Sequence, residues 1–190
     1  MRGIVGGDEV RSLPTATRSR RRLSWLSINI VLNIIAASVI AFYIDILDQV
    51  IALAVFLPII SDMSGASGNQ AVAVSMRELS LGLVRPRDVG WVWLKEISVG
   101  LINGTVLGVL IAIVAMIWDG SPYLGLVVGA TLALNTLIAV SIGGTVPLFL
   151  KRLGVDPAIA SGPILTTVTD ICGFFLALTF ASLLLVQLTS

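Results

Sequence analysis

Residues 98–118 read SVGLINGTVLGVLIAIVAMIW, an apolar stretch without a single Asp, Glu, Lys or Arg. At ~1.5 Å per residue, a helix of this length rises about 30 Å, the thickness of the hydrocarbon core of a bilayer. The stretch reads as a membrane span. Working outward with a window of about 20 residues, comparable stretches lie near 23–44, 46–76, 122–149 and 164–188. The expected fold is an all-α membrane protein with five transmembrane helices. The second and fourth stretches exceed one crossing and contain Gly and Pro, so tilted or broken helices are expected there.

Composition agrees. Of 190 residues, 56% are apolar and 12% charged, against roughly 25% charged in ordinary soluble domains. A water-soluble domain of this size could not hide so much apolar surface. There is no histidine and one cysteine, Cys172. That excludes an intrachain disulfide, His-based metal sites, and enzymes built on a Ser-His or Cys-His pair. The twelve basic residues form no soluble basic domain, so a nucleic-acid reader is excluded as well.

Residues 1–22 are polar and end in a basic cluster, Arg18, Arg20, Arg21 and Arg22. They resemble a signal-peptide n-region, but the apolar stretch that follows exceeds the roughly 7–15 residues of a signal core and lacks a small-residue cleavage site. It reads as an uncleaved first span. Every Lys and Arg falls in this tail, in the 77–97 connection (Arg77, Arg85, Arg87, Lys95) or at Lys151 and Arg152. The other connections carry Asp45, Asp48 and Asp119. By the positive-inside rule the basic face is cytoplasmic, with the N-terminus inside and the C-terminus outside.

The connection 85–97, RPRDVGWVWLKEI, mixes charge with Trp91 and Trp93 and reads as a helix lying in the interface. Gly100, Gly104 and Gly108 recur every four residues, a spacing that lets two helices approach closely, so they read as packing.

Two carboxylates, Asp62 and Asp170, lie inside spans that hold no basic residue to pair with them. An intramembrane charge costs at least ~2.5–3.5 kcal/mol on insertion scales. The missing counter-ion points to a cation from outside the chain. Around Asp170, the residues Gly162, Thr166, Thr169, Gly173 and Ala177 share one helix face opposite Ile171, Phe174, Phe175 and Leu178. Thr hydroxyls can simply bond back to their own helix, but combined with Asp and small residues they read as pore lining, with Gly173 leaving room for a hydrated ion. Pro163 begins or breaks the helix there, freeing carbonyls. Asp62 opens a second stripe with Pro58, Gly65 and Asn69, where Asn69 and Gln70 supply neutral oxygens. Asp62 is expected to bond backbone groups freed at the GASG break, residues 65–68. Asn29, Asn33, Asn103, Thr131 and Asn135 read as interhelical hydrogen-bonding residues.

Oxygen ligands without a Cys or His cluster favour Mg²⁺, Ca²⁺ or Mn²⁺. Gly65-Ala66-Ser67-Gly68 matches the GxSG of rhomboid proteases, but their histidine partner is missing, and no GxGD marks either aspartate as an aspartyl protease.

The segments LPIISDMSGASGNQ and RLGVDPAIASGPILTTVTDICGF closely resemble the transmembrane domain of the MgtE family of magnesium channels and transporters, and the resemblance runs over about 23–190. It implies a homodimer of five-helix subunits with an ion pathway at the dimer interface. It also implies that Asp170, the acid of TTVTD, binds a hydrated Mg²⁺; from the sequence itself Mn²⁺, Co²⁺ and Ca²⁺ stand beside Mg²⁺ as candidate ions. Asn69 and Gln70 would lie near the pore, and Asp156 and Glu96 would be acids facing the cytoplasm; with Asp62 these two are the candidate secondary metal sites. Family members also carry a soluble N-terminal domain and a pair of CBS domains. Residues 1–22 are therefore read as a cytoplasmic tail or the stub of a connecting helix, and 23–190 as the membrane domain.

The expected function is transport of Mg²⁺ across the inner membrane, with no enzymatic turnover, and with lipid, a second copy and divalent cations as partners. Two alternatives stand beside it. One is an ion-coupled carrier using Asp170 as a proton or Na⁺ site. The other is a scaffold whose polar stripes merely join helices.

Overall fold

The computed structural model describes residues 14–155 and 157–189. The elements in order are α1 (Thr15–Phe42), α2 (Ile44–Gln49), α3 (Ala52–Ser80), α4 (Val89–Asp119), α5 (Pro122–Arg152), α6 (Pro157–Leu183) and α7 (Leu185–Thr189). A 3-10 turn, Pro86–Asp88, leads into α4, and no strand occurs among the described residues. Three stretches are long and apolar enough to cross a membrane: Pro86–Asp119, Pro122–Arg152 and Ala160–Leu183. The other two expected spans fall on α1 and α3. Both are long, but the apolar part of α1 is the shorter Leu26–Phe42, and α3 carries Asp62, Asn69 and Gln70 within its length.

Local chemistry sets the boundaries. Gly120 takes the left-handed conformation (φ 77°) that ends α4, its N–H bonding the Met116 carbonyl. Ser121 then caps α5, its hydroxyl accepting from the Leu124 N–H, and Pro122 occupies the first turn, where a missing N–H costs nothing. Gly-Ser-Pro thus folds α4 and α5 into a tight antiparallel hairpin.

The hairpin closes along small residues. A Cβ on Gly104 would sit 2.5 Å from the Ala133 carbonyl oxygen, and one on Gly108 2.6 Å from that of Gly129. One turn on either side, Gly100 meets Leu137 and Gly125 meets Met116 and Ala112. The expected packing role of Gly100, Gly104 and Gly108 is what the structure shows. On its other flanks α5 packs against α3 and α6. Leu53, Phe56 and Ile60 of α3 meet Leu124, Val128 and Leu132 of α5 and Leu178 of α6 in the main core. At the opposite end, Val84 and Val92 pack on Leu148. The α1 helix packs on α6, where the Tyr43 hydroxyl bonds that of Thr179 at 3.2 Å.

Three expectations change. The 46–76 stretch is divided: α2 ends at Gln49 and α3 starts at Ala52. The 85–97 segment is no separate interfacial helix, because α4 runs unbroken from Val89, with Trp91 and Trp93 exposed on its first turns and Lys95 lying 3.8 Å over the Trp91 ring. Nothing in that segment stops a helix once Pro86 has opened the turn. Pro163 neither begins nor ends α6, which passes through it from Pro157. The Thr166 and Thr167 hydroxyls bond the Pro163 carbonyl, and Thr166 also reaches that of Gly162.

The glycine contacts give a direct test. Gly104→Ala forces a methyl group against backbone that cannot turn aside and should cost about 1–3 kcal/mol. Gly90, on the same helix, has no neighbour within 4 Å. There, Gly→Ala should leave stability equal or raise it by about 0.4–1 kcal/mol. Thermal melting in detergent separates the two: the Gly104 variant should melt lower than the parent, the Gly90 variant no lower.

Candidate functional site

At the middle of the bundle, Asn135 of α5 is fully buried between α3 and α6. Its Nδ2 donates to the Ser64 hydroxyl of α3 at 2.6 Å and to the Thr169 carbonyl of α6 at 3.0 Å. Ser64 sends its own proton to the Ile60 carbonyl, which leaves its oxygen free to accept. Both acceptors face one side of the amide, so that side must be the NH₂. The Asn135 Oδ1 on the other side is buried with no partner among the described residues. Asn135 therefore fills the interhelical role read from the sequence. Thr131, one turn before it, instead bonds back to Val127 of its own helix.

The next residue along α6 is Asp170, half-buried at the edge of the same contact. Its Oδ1 accepts a hydrogen bond from the Ser61 hydroxyl, one turn before Ser64 on α3. Among the described residues the ion pair present is Arg87 with Asp88, remote from here in sequence and at the start of α4. The Asp170 carboxylate thus has a hydroxyl donor on one oxygen and no basic partner. Such a group can orient the waters around a cation or exchange a proton.

The other residues singled out from the sequence distribute as follows. Thr169 is fully buried and its hydroxyl bonds the Thr166 carbonyl at 2.9 Å, so its side chain serves the helix. Thr166 is half-buried on the Asp170 side, with its hydroxyl also turned back to its own helix. Gly173 does not open onto space for an ion: a Cβ there would sit 2.6 Å from the Asn135 Nδ2, so its missing side chain makes room for that amide. Asp62, Asn69 and Gln70 lie exposed on the surface of α3. Asp62 makes no bond to freed backbone, because α3 runs continuously through Gly65 and Gly68 and frees none there. Gly68 instead meets the Ala139 carbonyl and the Leu165 side chain.

Glu96 belongs to a different place. Its side chain lies over Gly144 of α5, whose carbonyl accepts from Ser75 of α3 at 2.6 Å. Gly144 is nine residues beyond Asn135, about 13 Å along the helix at ~1.5 Å per residue. Glu96 and Asp170 do not form one cluster, and Asp156 lies outside the described residues. No group of three or more acidic or Cys side chains converges on a metal-sized gap among the described residues.

Sequence reasoning passed over Ser61 and Ser64 because Asp62 sits between them. A usable signal was there: Ser61, Ser64, Gly65 and Gly68 recur at helical spacing and mark the small, polar face of α3 that meets α5 and α6.

Comparison with known proteins follows the same region. Residues 57–180 match a family described as "MgtE: Divalent cation transporter". The magnesium transporter MgtE of Bacillus subtilis (strain 168) is 42% identical over 151 residues, covering 80% of this chain and 34% of that protein. The magnesium transporter MgtE of Thermus thermophilus is 37% identical over 164 residues, covering 86% of this chain and 36% of that protein. A third, from Enterococcus faecalis, is 33% identical over 183 residues, covering 95% and 40%. The chain therefore spans between a third and two-fifths of the length of the curated relatives it matches.

Because Gly173 and Asn135 are matched in shape, Gly173→Ala should displace the amide and leave a buried donor poorly bonded, costing about 1–3 kcal/mol. Gly162, on the same helix, has open space beside it, so Gly162→Ala should not destabilise. Melting temperatures of the two variants, measured side by side, check this.

Proposed function

The chain belongs to the MgtE family of divalent cation transporters, and on that premise we propose that it moves Mg²⁺ across a membrane through a pathway centred on Asp170. The single observation that carries the reading is the Asp170 carboxylate itself: within the apolar stretch Ala160–Leu183, half-buried, held by Ser61 and without a basic partner among the described residues. Mg²⁺ sheds its waters reluctantly and keeps several of them in most protein sites, with one or two carboxylates as direct partners. One acid per chain, with no cluster of further ligands among the described residues, suits a hydrated ion better than a dehydrated one.

In this reading the chain crosses the membrane five times, on α1, α3, α4, α5 and α6. The basic ends of α3 and α5, at Arg77 and at Lys151 and Arg152, fall at the same end of the bundle as the Val84, Val92 and Leu148 contact. That end is cytoplasmic by the positive-inside rule, with the N-terminus inside and the C-terminus outside. Asp62, Asn69 and Gln70 are exposed on α3, where lipid would charge several kcal/mol for the carboxylate alone, about 2.5–3.5 by insertion scales. A second copy related by a two-fold axis removes that cost by placing α3 and α6 of both chains around water. Two Asp170 carboxylates then face one axis, and a dication relieves their repulsion. Thr166, Asn69 and Gln70 line the path, while Glu96 and Asp156 lie toward its cytoplasmic mouth.

Mechanistically, the path must bind Mg²⁺ strongly enough to select it and weakly enough to release it. A carboxylate that holds the ion through retained waters meets both demands, because exchange then breaks hydrogen bonds and no metal–oxygen bonds. The carrier and scaffold readings are less favoured, since the relatives are named magnesium transporters.

Flux into proteoliposomes, followed with a trapped Mg²⁺ indicator, tests the proposal. Asp170→Ala should lower flux by about 100-fold or more, in line with losing a metal-orienting group. Asp170→Asn should lose the preference for divalent over monovalent cations before it loses conductance. Parent-like Mg²⁺ flux in Asp170→Ala would refute the assignment.

A further inference from the structure

We propose that Asn135 is a positioning residue for the Asp170 carboxylate, fixing the 169–170 peptide of α6 to α3 so that the acid meets Ser61 and an approaching hydrated cation together. The inference rests on the reading that Asp170 binds the transported ion.

The argument starts from placement. The carbonyl that Asn135 grips belongs to Thr169, so the anchored peptide unit is the one that leads directly into Asp170. The hydroxyl that Asn135 grips belongs to Ser64, one turn from Ser61, which bonds the carboxylate. One amide therefore fixes both supports of the acid, its own backbone on α6 and its hydrogen-bond donor on α3. Ser61 engages a single oxygen of Asp170, Oδ1. Fixing one oxygen of a planar carboxylate orients the other, and Oδ2 is the one left for an ion's water. Groups that orient a metal-binding side chain in this way set affinity without touching the metal.

Packing alone does not account for the residue. Asn135 is fully buried, and its Oδ1 has no partner among the described residues, which costs free energy that an apolar side chain of the same size would not incur. Gly173 is shaped to admit the amide, since a Cβ there would collide with it. The core thus gives up both a methyl group and a satisfied acceptor to keep an NH₂ at this point.

The test is the Mg²⁺ concentration dependence of flux in proteoliposomes, comparing Asn135→Leu with the parent. Leucine keeps the branched shape of the side chain while removing both hydrogen bonds. The half-saturating Mg²⁺ concentration should rise about tenfold, the lower end of the effect of losing an orienting group. Flux at saturating Mg²⁺ should stay within about twofold, because the pathway itself is intact. A half-saturation point within about twofold of the parent, whatever happens to the melting temperature, overturns the inference.

If Asn135→Leu does not accumulate, Ser64→Ala takes its place. It removes one of the two acceptors and should raise half-saturation about threefold, the effect of one lost hydrogen bond; no change overturns the inference. Asp170→Ala run in parallel separates the two claims. Parent-like Mg²⁺ flux there removes the ion-site reading and this inference with it. Lost flux in Asp170→Ala with unchanged half-saturation in Asn135→Leu removes the inference alone.

Discussion

In lipid, two helices gain little by hiding apolar side chains from one another, so α5 has to hold its neighbours by close contact and by hydrogen bonds. Close contact requires that Cβ atoms be absent where backbones cross. On the α4 side, Gly104 and Gly108 meet the carbonyls of Ala133 and Gly129. On the α3 side, a Cβ on Gly143 would overlap the Gly68 carbonyl, and one on Gly68 would lie 2.9 Å from that of Ala139. The α6 side has Gly173 against Asn135. With any of these replaced by a larger residue, α5 would stand off from that neighbour and short polar side chains could no longer bridge the gap.

That closeness explains why serine and asparagine, with one- and two-atom reaches, suffice to join three helices. Ser75 bonds the Gly144 carbonyl at one level of α5, and Asn135 bonds Ser64 and Thr169 at another. Each is a buried polar group whose burial is tolerated because a partner is within reach. Around Asp170 the same economy has a chemical result. Its carboxylate has one hydroxyl donor from α3 and an open edge, which is the arrangement a hydrated dication can use. In the proposed dimer, a second copy and water would cover the polar surface of α3 at Asp62, Asn69 and Gln70, linking packing within one chain to assembly of two.

Much of the fold was legible because hydropathy reports directly on a solvent that is itself apolar. The stretch 98–118 needs no partner to be read as a helix, and four-residue glycine spacing has one common use between helices, so Gly100, Gly104 and Gly108 were read correctly. Gly173 was not, and the reason is physical: a glycine in a polar stripe makes space, but the sequence does not say whether an ion or a neighbouring side chain takes it. Thr169 was misplaced for a related reason. It is adjacent to Asp170, and at about 100° per residue it turns into the core while the acid stays at the edge. Ser61 was overlooked because the charged Asp62 beside it dominates any reading by cost, although a hydroxyl at the right face can matter more to the site than an acid pointing away. The α4 start was drawn one element too finely: two tryptophans and a lysine mark an interface, and a helix can pass through an interface without ending there.

Occupancy of the site by a metal tests the central claim most directly. Crystals of the protein soaked in Mn²⁺, which mimics Mg²⁺ and scatters anomalously, should give their strongest membrane-depth peak beside the Asp170 carboxylate, at a distance that leaves room for coordinated water. The peak should vanish in Asp170→Asn crystals grown and soaked in the same way. Anomalous peaks confined to the acidic groups at the two ends of the bundle, with none near Asp170 in the parent, would contradict the account.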